Sequence, residues 1–155
     1  EEIAALRKAG IAYTIVPGVS AALAAAADTA TPVTLRDVSP GFVLATAHGA
    51  DDGQLQHWAA LADAGMTLAL YMGKSIAAEV AGRLLAHGLA PSTPVGIAVN
   101  AGRQNSSAYR GTLGELAGDA IAFADGPAII LIGEAVEAGD WTLAAAFATQ
   151  QVEAA

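Results

Sequence analysis

A chain of 155 residues and 15.4 kDa suits one domain, able to bury about 70% of the surface its unfolded form exposes. With no cysteine it has no disulfide framework or thiolate metal site, and its three histidines are scattered without a metal-ligand spacing, so no metal site is expected. A formal charge of -8 argues against a nucleic-acid partner, and the mean hydropathy of +0.47 reflects alanine rather than a membrane span, since Asp28, Glu79 and Glu134 cut the apolar runs short of the ~18 residues a span requires.

The residues Glu1 to Gly10 read as a helix with Ile3 and Leu6 on one face and Gly10 as its C-cap. Next comes a β-branched run, Tyr13 to Val16, which reads as a buried strand; Pro17 ends it, and Gly18 allows a sharp turn into an alanine-rich helix. The helix N-terminus would turn free N–H groups toward whatever lies above that turn. Phe42 to Thr46 is a short strand, followed by a helix with Asp51 and Asp52 at its start, Leu55, Trp58, Ala59 and Ala62 as its apolar stripe, and Gly65 as its stop. Met66 to Met72 has the continuous apolar character of a strand covered on both faces. Ser75 then caps a helix in which Ile76, Val80, Leu84 and His87 align, and Gly88 closes it.

Val95 to Val99 is the next strand, Ser107 to Tyr109 a short one, and Thr112-Leu113-Gly114-Glu115 a capping box that opens another helix. Pro127 to Gly133 is the last clear strand. The alanine-rich tail, 140–155, is a helix that either packs or frays. No repeat, basic run or linker divides residues 1–155 into more than one domain. The expected class is therefore α/β, with a mixed or mostly parallel sheet flanked by helices. In such sheets ligands gather at the carboxyl ends of strands, where Pro17-Gly18, His48, Met72-Gly73 and Asn100-Ala101-Gly102 all fall, so one crevice is expected to collect them.

The wording Val16-Pro17-Gly18-Val19-Ser20-Ala21-Ala22, followed by Pro32-Val33-Thr34-Leu35-Arg36-Asp37, resembles the uroporphyrinogen-III C-methyltransferases of the tetrapyrrole methylase family. Later pieces follow in the same order: Thr46-Ala47-His48, Leu70-Tyr71-Met72-Gly73, Ala86-His87-Gly88 with Thr93-Pro94-Val95, Arg110-Gly111-Thr112-Leu113, and Pro127 to Gly133. None is specific alone; the order and spacing over nearly the whole chain are. In that family a Glu-Glu helix follows a Gly-Gly-Asp-Pro-Phe loop and an N-terminal domain opened by Gly-x-Gly-Pro-Gly-Asp. The resemblance thus identifies residues 1–155 as the C-terminal half of such an enzyme.

The implied chemistry is methyl transfer from S-adenosylmethionine, leaving S-adenosylhomocysteine, to two carbons of uroporphyrinogen III, giving precorrin-2 on the way to sirohaem or cobalamin. The implied cofactor contacts are Pro17, Gly18, Ser20, Ala21, Met72, Ala101, Pro127 and Ala128, with Ser20-Ala21 at the position of the family's Thr-Ala pair. Ser20 equally suits a first-turn residue bonding its own backbone. Met72 is implied on both the cofactor and the substrate side. Ala101 stands where a Glu-Asn-Gly-Thr turn usually has glycine, and Val99 where it has glutamate, so a backbone contact stays possible while the glutamate role is absent.

The tetrapyrrole is a polyanion and this chain is acidic, so local cations must receive it. Arg36 is the leading candidate, although Leu35 replaces the histidine of the usual His-Arg pair; Lys74, Arg103 and Arg110 are available for outer carboxylates. His48 is implied as substrate contact and proton carrier. The resemblance also implies a cytoplasmic homodimer with its cleft between two domains, so these residues alone should bind cofactor weakly and turn over nothing. Two other readings stay open: a non-catalytic dimerisation or ligand-binding module, and a family member acting on a later corrin intermediate.

Overall fold

The computed structural model describes residues 1–118, 121–142 and 145–146. Helix α1 (Glu2–Lys8) ends at Gly10, which adopts φ +67° while Gly10 N–H bonds Arg7 C=O and Ile11 N–H bonds Leu6 C=O. The same paired bonds close α3 (Asp52–Asp63) at Gly65 and α4 (Ala77–Ala86) at Gly88, each glycine supplying the left-handed residue that frees the amides to turn back. Helix α2 (Ala21–Asp28) ends in the same pattern, with Ala30 at φ 46° in glycine's place. At the front of α3 Asp51 accepts from Gln54 N–H and Gln54 Oε1 accepts from Asp51 N–H, completing a capping box. Thr112 and Glu115 exchange the same pair of bonds before α5 (Leu113–Gly118).

The strands are β1 (Phe42–Thr46), β2 (Thr67–Tyr71), β3 (Pro94–Val99), β4 (Ser107–Thr112), β5 (Ala128–Ile132) and β6 (Ala145–Ala146), joined in the order β1-β2-β5-β3-β4-β6. The sheet is mixed: only β1 with β2 and β4 with β6 run parallel, while β5 lies antiparallel to both β2 and β3. Side chains alternate across it. Leu68, Leu70, Val95, Ile97, Val99, Ile130 and Ile132 face the layer of α3, α4 and α5, where Leu55, Trp58, Val80, Leu84 and Leu116 complete the main core. Ala69, Ala98, Ile129 and Leu131 face the other way and meet Ala22 and Ala25 of α2. Both faces are covered, which is why the strand sequences are continuously apolar rather than alternating. Small residues on the second face let the alanine helix approach closely, and a side chain at Gly96 would overlap the Trp141 ring.

Four expectations need correction. Tyr13 to Val16 joins no ladder; it has no regular structure, with Ile15 67% and Val16 81% exposed, because no strand lies beside it to take its hydrogen bonds. Gly18 does not lead straight into the helix: its φ is not positive, and α2 starts two residues later at the Ser20 cap. Ser75 caps nothing. A 3-10 turn over Lys74–Ile76 carries the chain from β2 into α4, whose cap position is Ile76 with no side-chain bond. In the tail, Ala145–Ala146 form a parallel strand beside β4 rather than a helix, while 143–144 and 147–155 lie outside the described residues.

Candidate functional site

β1, β2 and β3 all end on one edge of the sheet, and because β5 runs the opposite way its beginning lies on the same edge. The loops there enclose an open cleft of about 1000 Å3. Its lining is mainly apolar, including Ala21, Met72, Ala98, Leu116, Phe123 and Ile129, with a few polar groups from His48, Asn100, Arg103 and Asp125.

Two residues at this edge hold unusual backbone conformations. Met72 (φ 53°) and Asn100 (φ 56°) each follow the last residue of a strand and adopt the left-handed region that side chains ordinarily avoid. At Met72 the turn brings the chain out of β2 and into the 3-10 segment, leaving the thioether 62% exposed at the cleft mouth. Asn100, only 4% exposed, tolerates the conformation because its amide is engaged: Nδ2 donates to Asp125 C=O at 2.8 Å, and its own N–H bonds Pro127 C=O at 2.9 Å. Gly126 then has to be glycine, since it stands at φ +123° and an added Cβ would overlap the Asn100 amide.

The front of α2 is fastened to the cleft by Tyr71, whose phenol oxygen hydrogen-bonds Ser20 Oγ and accepts from Ala22 N–H at 3.0 Å. At the back of the same helix, the Asp28 carboxylate accepts from Gly102 N–H at 2.7 Å, holding the turn after Ala101. The orientation of α2 is therefore set at both ends by groups belonging to the cleft edge.

Of the residues singled out in the sequence, His48, Met72, Ala21, Ala101, Pro127 and Ala128 line this cleft. Ser20 is the α2 cap, accepting from Ala22 N–H at 3.3 Å, and reaches the cleft only through Tyr71. Pro17 and Gly18 do not line it; they belong to the exposed segment ahead of α2. Arg36 is also elsewhere, in a separate surface hollow formed by residues 34–40. That loop is pinned by the Leu35–Ser39 bridge and by the Ser39 hydroxyl on Thr67, so it turns Arg36 outward.

The other cations divide clearly. Arg110 pairs with Glu137. Lys74 is spent on the carbonyls of Ala124 and Gly126. Arg103 lines the cleft, and among the described residues no ion pair engages it.

Sequence reasoning placed Asn100 at the crevice and Tyr71 in a motif without giving either a role, and it did not single out Phe123 or Asp125. The Asp125-Gly126-Pro127 turn signal could have drawn attention to the last of these. A charged group of a different kind sits outside the cleft: Asp52 accepts from His87 Nε2 at 3.0 Å and from Arg83 at 3.1 Å, and these hydrogen bonds, His87 first, hold its carboxyl below the usual aspartate range. This cluster joins α3 to α4 on the outer surface.

The family described as Tetrapyrrole (Corrin/Porphyrin) Methylases matches residues 1–117. The chain belongs to the tetrapyrrole methylases. Among this family's curated members it is 45% identical over 135 residues to the uroporphyrinogen-III C-methyltransferase of Pseudomonas aeruginosa, covering 86% of this chain and 55% of that protein. With the siroheme synthase of Edwardsiella ictaluri it shares 42% identity over 136 residues, 88% of this chain and 29% of that one. This tetrapyrrole methylase thus spans less than a third to about half of the relatives it matches. Its fold is similar to the uroporphyrin-III C-methyltransferase of Thermus thermophilus complexed with S-adenosylhomocysteine, with a TM-score of 0.73 and 26% identity over 88% of this chain and 59% of that one. It is also similar to a cobalt precorrin-4 methyltransferase of cobalamin biosynthesis, with a TM-score of 0.71 and 26% identity over 87% of this chain and 57% of that one.

Proposed function

We propose that this chain forms the C-terminal half of a methyltransferase that uses S-adenosylmethionine to methylate uroporphyrinogen III twice, giving precorrin-2. The single observation that carries the reading is the convergence of His48, Met72, Ala101, Pro127 and Ala128 on one cleft, on a chain whose family is that of the tetrapyrrole methylases. The cleft suits the cofactor: its volume is at the upper end of ordinary ligand sites, and its apolar wall with few polar groups fits an adenosine and a thioether.

When bound, S-adenosylmethionine supplies a methyl group on a sulfonium, so the carbon–sulfur bond breaks as the carbon–carbon bond forms. The chain's part is alignment and exclusion of water. Ala21, Ala98 and Ala101 would let a ligand lie close to the sheet edge, and Met72, held outward by its left-handed backbone, would offer its thioether to the cofactor and the flat substrate ring. His48, exposed on the rim, is the group placed to take up the proton that the substrate must lose from elsewhere in the ring once a substituted carbon has gained the methyl group. Arg103 replaces Arg36 as the cation that receives substrate carboxylates inside the cleft, and Arg36 is left to meet carboxylates beyond it.

The remaining length of the relatives supplies the opposite wall, in a cytoplasmic homodimer. Ile15, Val16 and Val19 are 67%, 81% and 81% exposed beside α2, an apolar edge that such a wall would cover. Residues 1–155 alone therefore bind cofactor weakly and turn over nothing. Titration calorimetry with S-adenosylhomocysteine tests the cofactor half of this reading: binding should be seen and should weaken about tenfold in Met72→Asp. No binding at millimolar ligand would end it. Because the fold resembles the precorrin-4 enzyme nearly as well, the substrate half is tested by assaying the longer parent against uroporphyrinogen III and later corrin intermediates. Preference for a later one would overturn the substrate named here.

A further inference from the structure

We infer that Lys74 is a positioning residue that fastens the loop 121–127 as a preformed wall of the ligand cleft. The loop contributes Ile121, Phe123, Asp125, Gly126 and Pro127 to the lining yet has no regular secondary structure, so its backbone groups need partners from elsewhere. Four consecutive carbonyls find them. Lys74, the first residue of the 3-10 turn after β2, donates from Nζ to Ala124 C=O and, at 3.2 Å, to Gly126 C=O. Asn100, just after β3, takes the alternate two: Asp125 C=O through its side chain and Pro127 C=O through its backbone. From β4, the Tyr109 hydroxyl accepts from Ala124 N–H at 2.8 Å, and its ring meets Phe123 edge-on with centroids 5.1 Å apart.

Residues just after β2 and β3 and one within β4 thus hold one loop, and Lys74 is the sole charged group among these contacts. An ammonium bonded to two carbonyls gives stronger hydrogen bonds than neutral donors would. No carboxylate among the described residues forms an ion pair with it, so nothing draws the cation away from the loop. Removing the ammonium frees Ala124 and Gly126 C=O while Asn100 still holds Asp125 and Pro127 C=O. The loop then frays locally rather than unfolding. An ordered wall spares a ligand the entropy of assembling it, which is where affinity is gained. For what the wall holds, the inference rests on the cofactor reading above; for the tether itself it does not.

The test uses Lys74→Met, which keeps the apolar stem and removes the donors, and Lys74→Arg, which restores them. In the ligand-free protein, hydrogen exchange at the Ala124 amide should quicken about tenfold in Lys74→Met and return most of the way in Lys74→Arg, with the melting temperature little changed. Exchange within twofold of the unsubstituted protein overturns the inference. Calorimetry with S-adenosylhomocysteine should give a dissociation constant raised about tenfold in Lys74→Met. If the loop loosens and the dissociation constant does not move, the loop is no wall for that ligand and the inference fails. If the loop loosens but the unsubstituted protein binds no S-adenosylhomocysteine, the tether stands and the cofactor reading falls. Should Lys74→Met not fold, Lys74→Gln, which keeps one donor group on a shorter stem, is read by the same two measurements.

Discussion

Individual residues at the cleft edge are constrained by shape more than by charge. Gly126 is the clearest case, because its φ of +123° and its contact with the buried Asn100 amide each exclude a side chain. Gly126→Ala should destabilise the fold by about 1–3 kcal/mol, measured as a lower urea midpoint, and weaken S-adenosylhomocysteine binding as well. An unchanged midpoint would mean the turn can relax in some other way. Met72 and Asn100 teach a related lesson. Their positions after the strands were legible in the sequence, but their left-handed conformations were not, because nothing in Tyr-Met-Gly or Val-Asn-Ala announces a positive φ on the first residue after a strand. Arg36 could be recognised as a cation but not placed, since a loop of seven residues can turn its arginine toward either side of the sheet.

At the scale of elements, packing between helices and sheet sets what can change. Gly96 lies in β3 beneath the Trp141 ring, whose indole N–H bonds Val136 C=O at 2.7 Å. Gly96→Val should displace the indole, cost about 1–3 kcal/mol and shift tryptophan emission to longer wavelength. Between α3 and α4, Asp52 accepts hydrogen bonds from His87 and Arg83, and these lower its pKa from the ordinary 3.8. A carboxylate depressed by folding adds stability above its unfolded value, and loses it as the pH falls through the folded one. Asp52→Asn should therefore be less stable than the parent at pH 6, with the gap closing below about pH 3.8 in urea titrations. A gap that persists in acid would assign the effect to packing rather than charge. The helices themselves were readable because their signals are local: the carboxylates Asp51 and Asp52 at a helix start, a capping box at Thr112, and glycines at positions 10, 65 and 88. The false strand at Tyr13 to Val16 fails for the opposite reason. A β-branched run becomes a strand only if another backbone lies beside it.

For the whole molecule, the antiparallel placement of β5 between β2 and β3 is decisive, because it brings Pro127 and Ala128 to the edge where β1, β2 and β3 end. A ligand held there touches four elements at once and should stabilise them together. S-adenosylhomocysteine at about 100 times its dissociation constant should add about 2.7 kcal/mol, seen as a rise in melting temperature that grows with ligand concentration. A flat response over that range would mean the cleft does not take the cofactor.

The sequence by itself determined the elements whose signals are short in range, the α/β class and, through ordered motifs, the family. It also put His48, Met72 and Ala101 after strands. Only the tertiary structure decided strand order, the sign of each pairing, and which cation faces the cleft. Those depend on contacts between residues far apart in the chain, such as Lys74 with Ala124 or Tyr71 with Ser20, and no local pattern encodes which distant partner a side chain will meet.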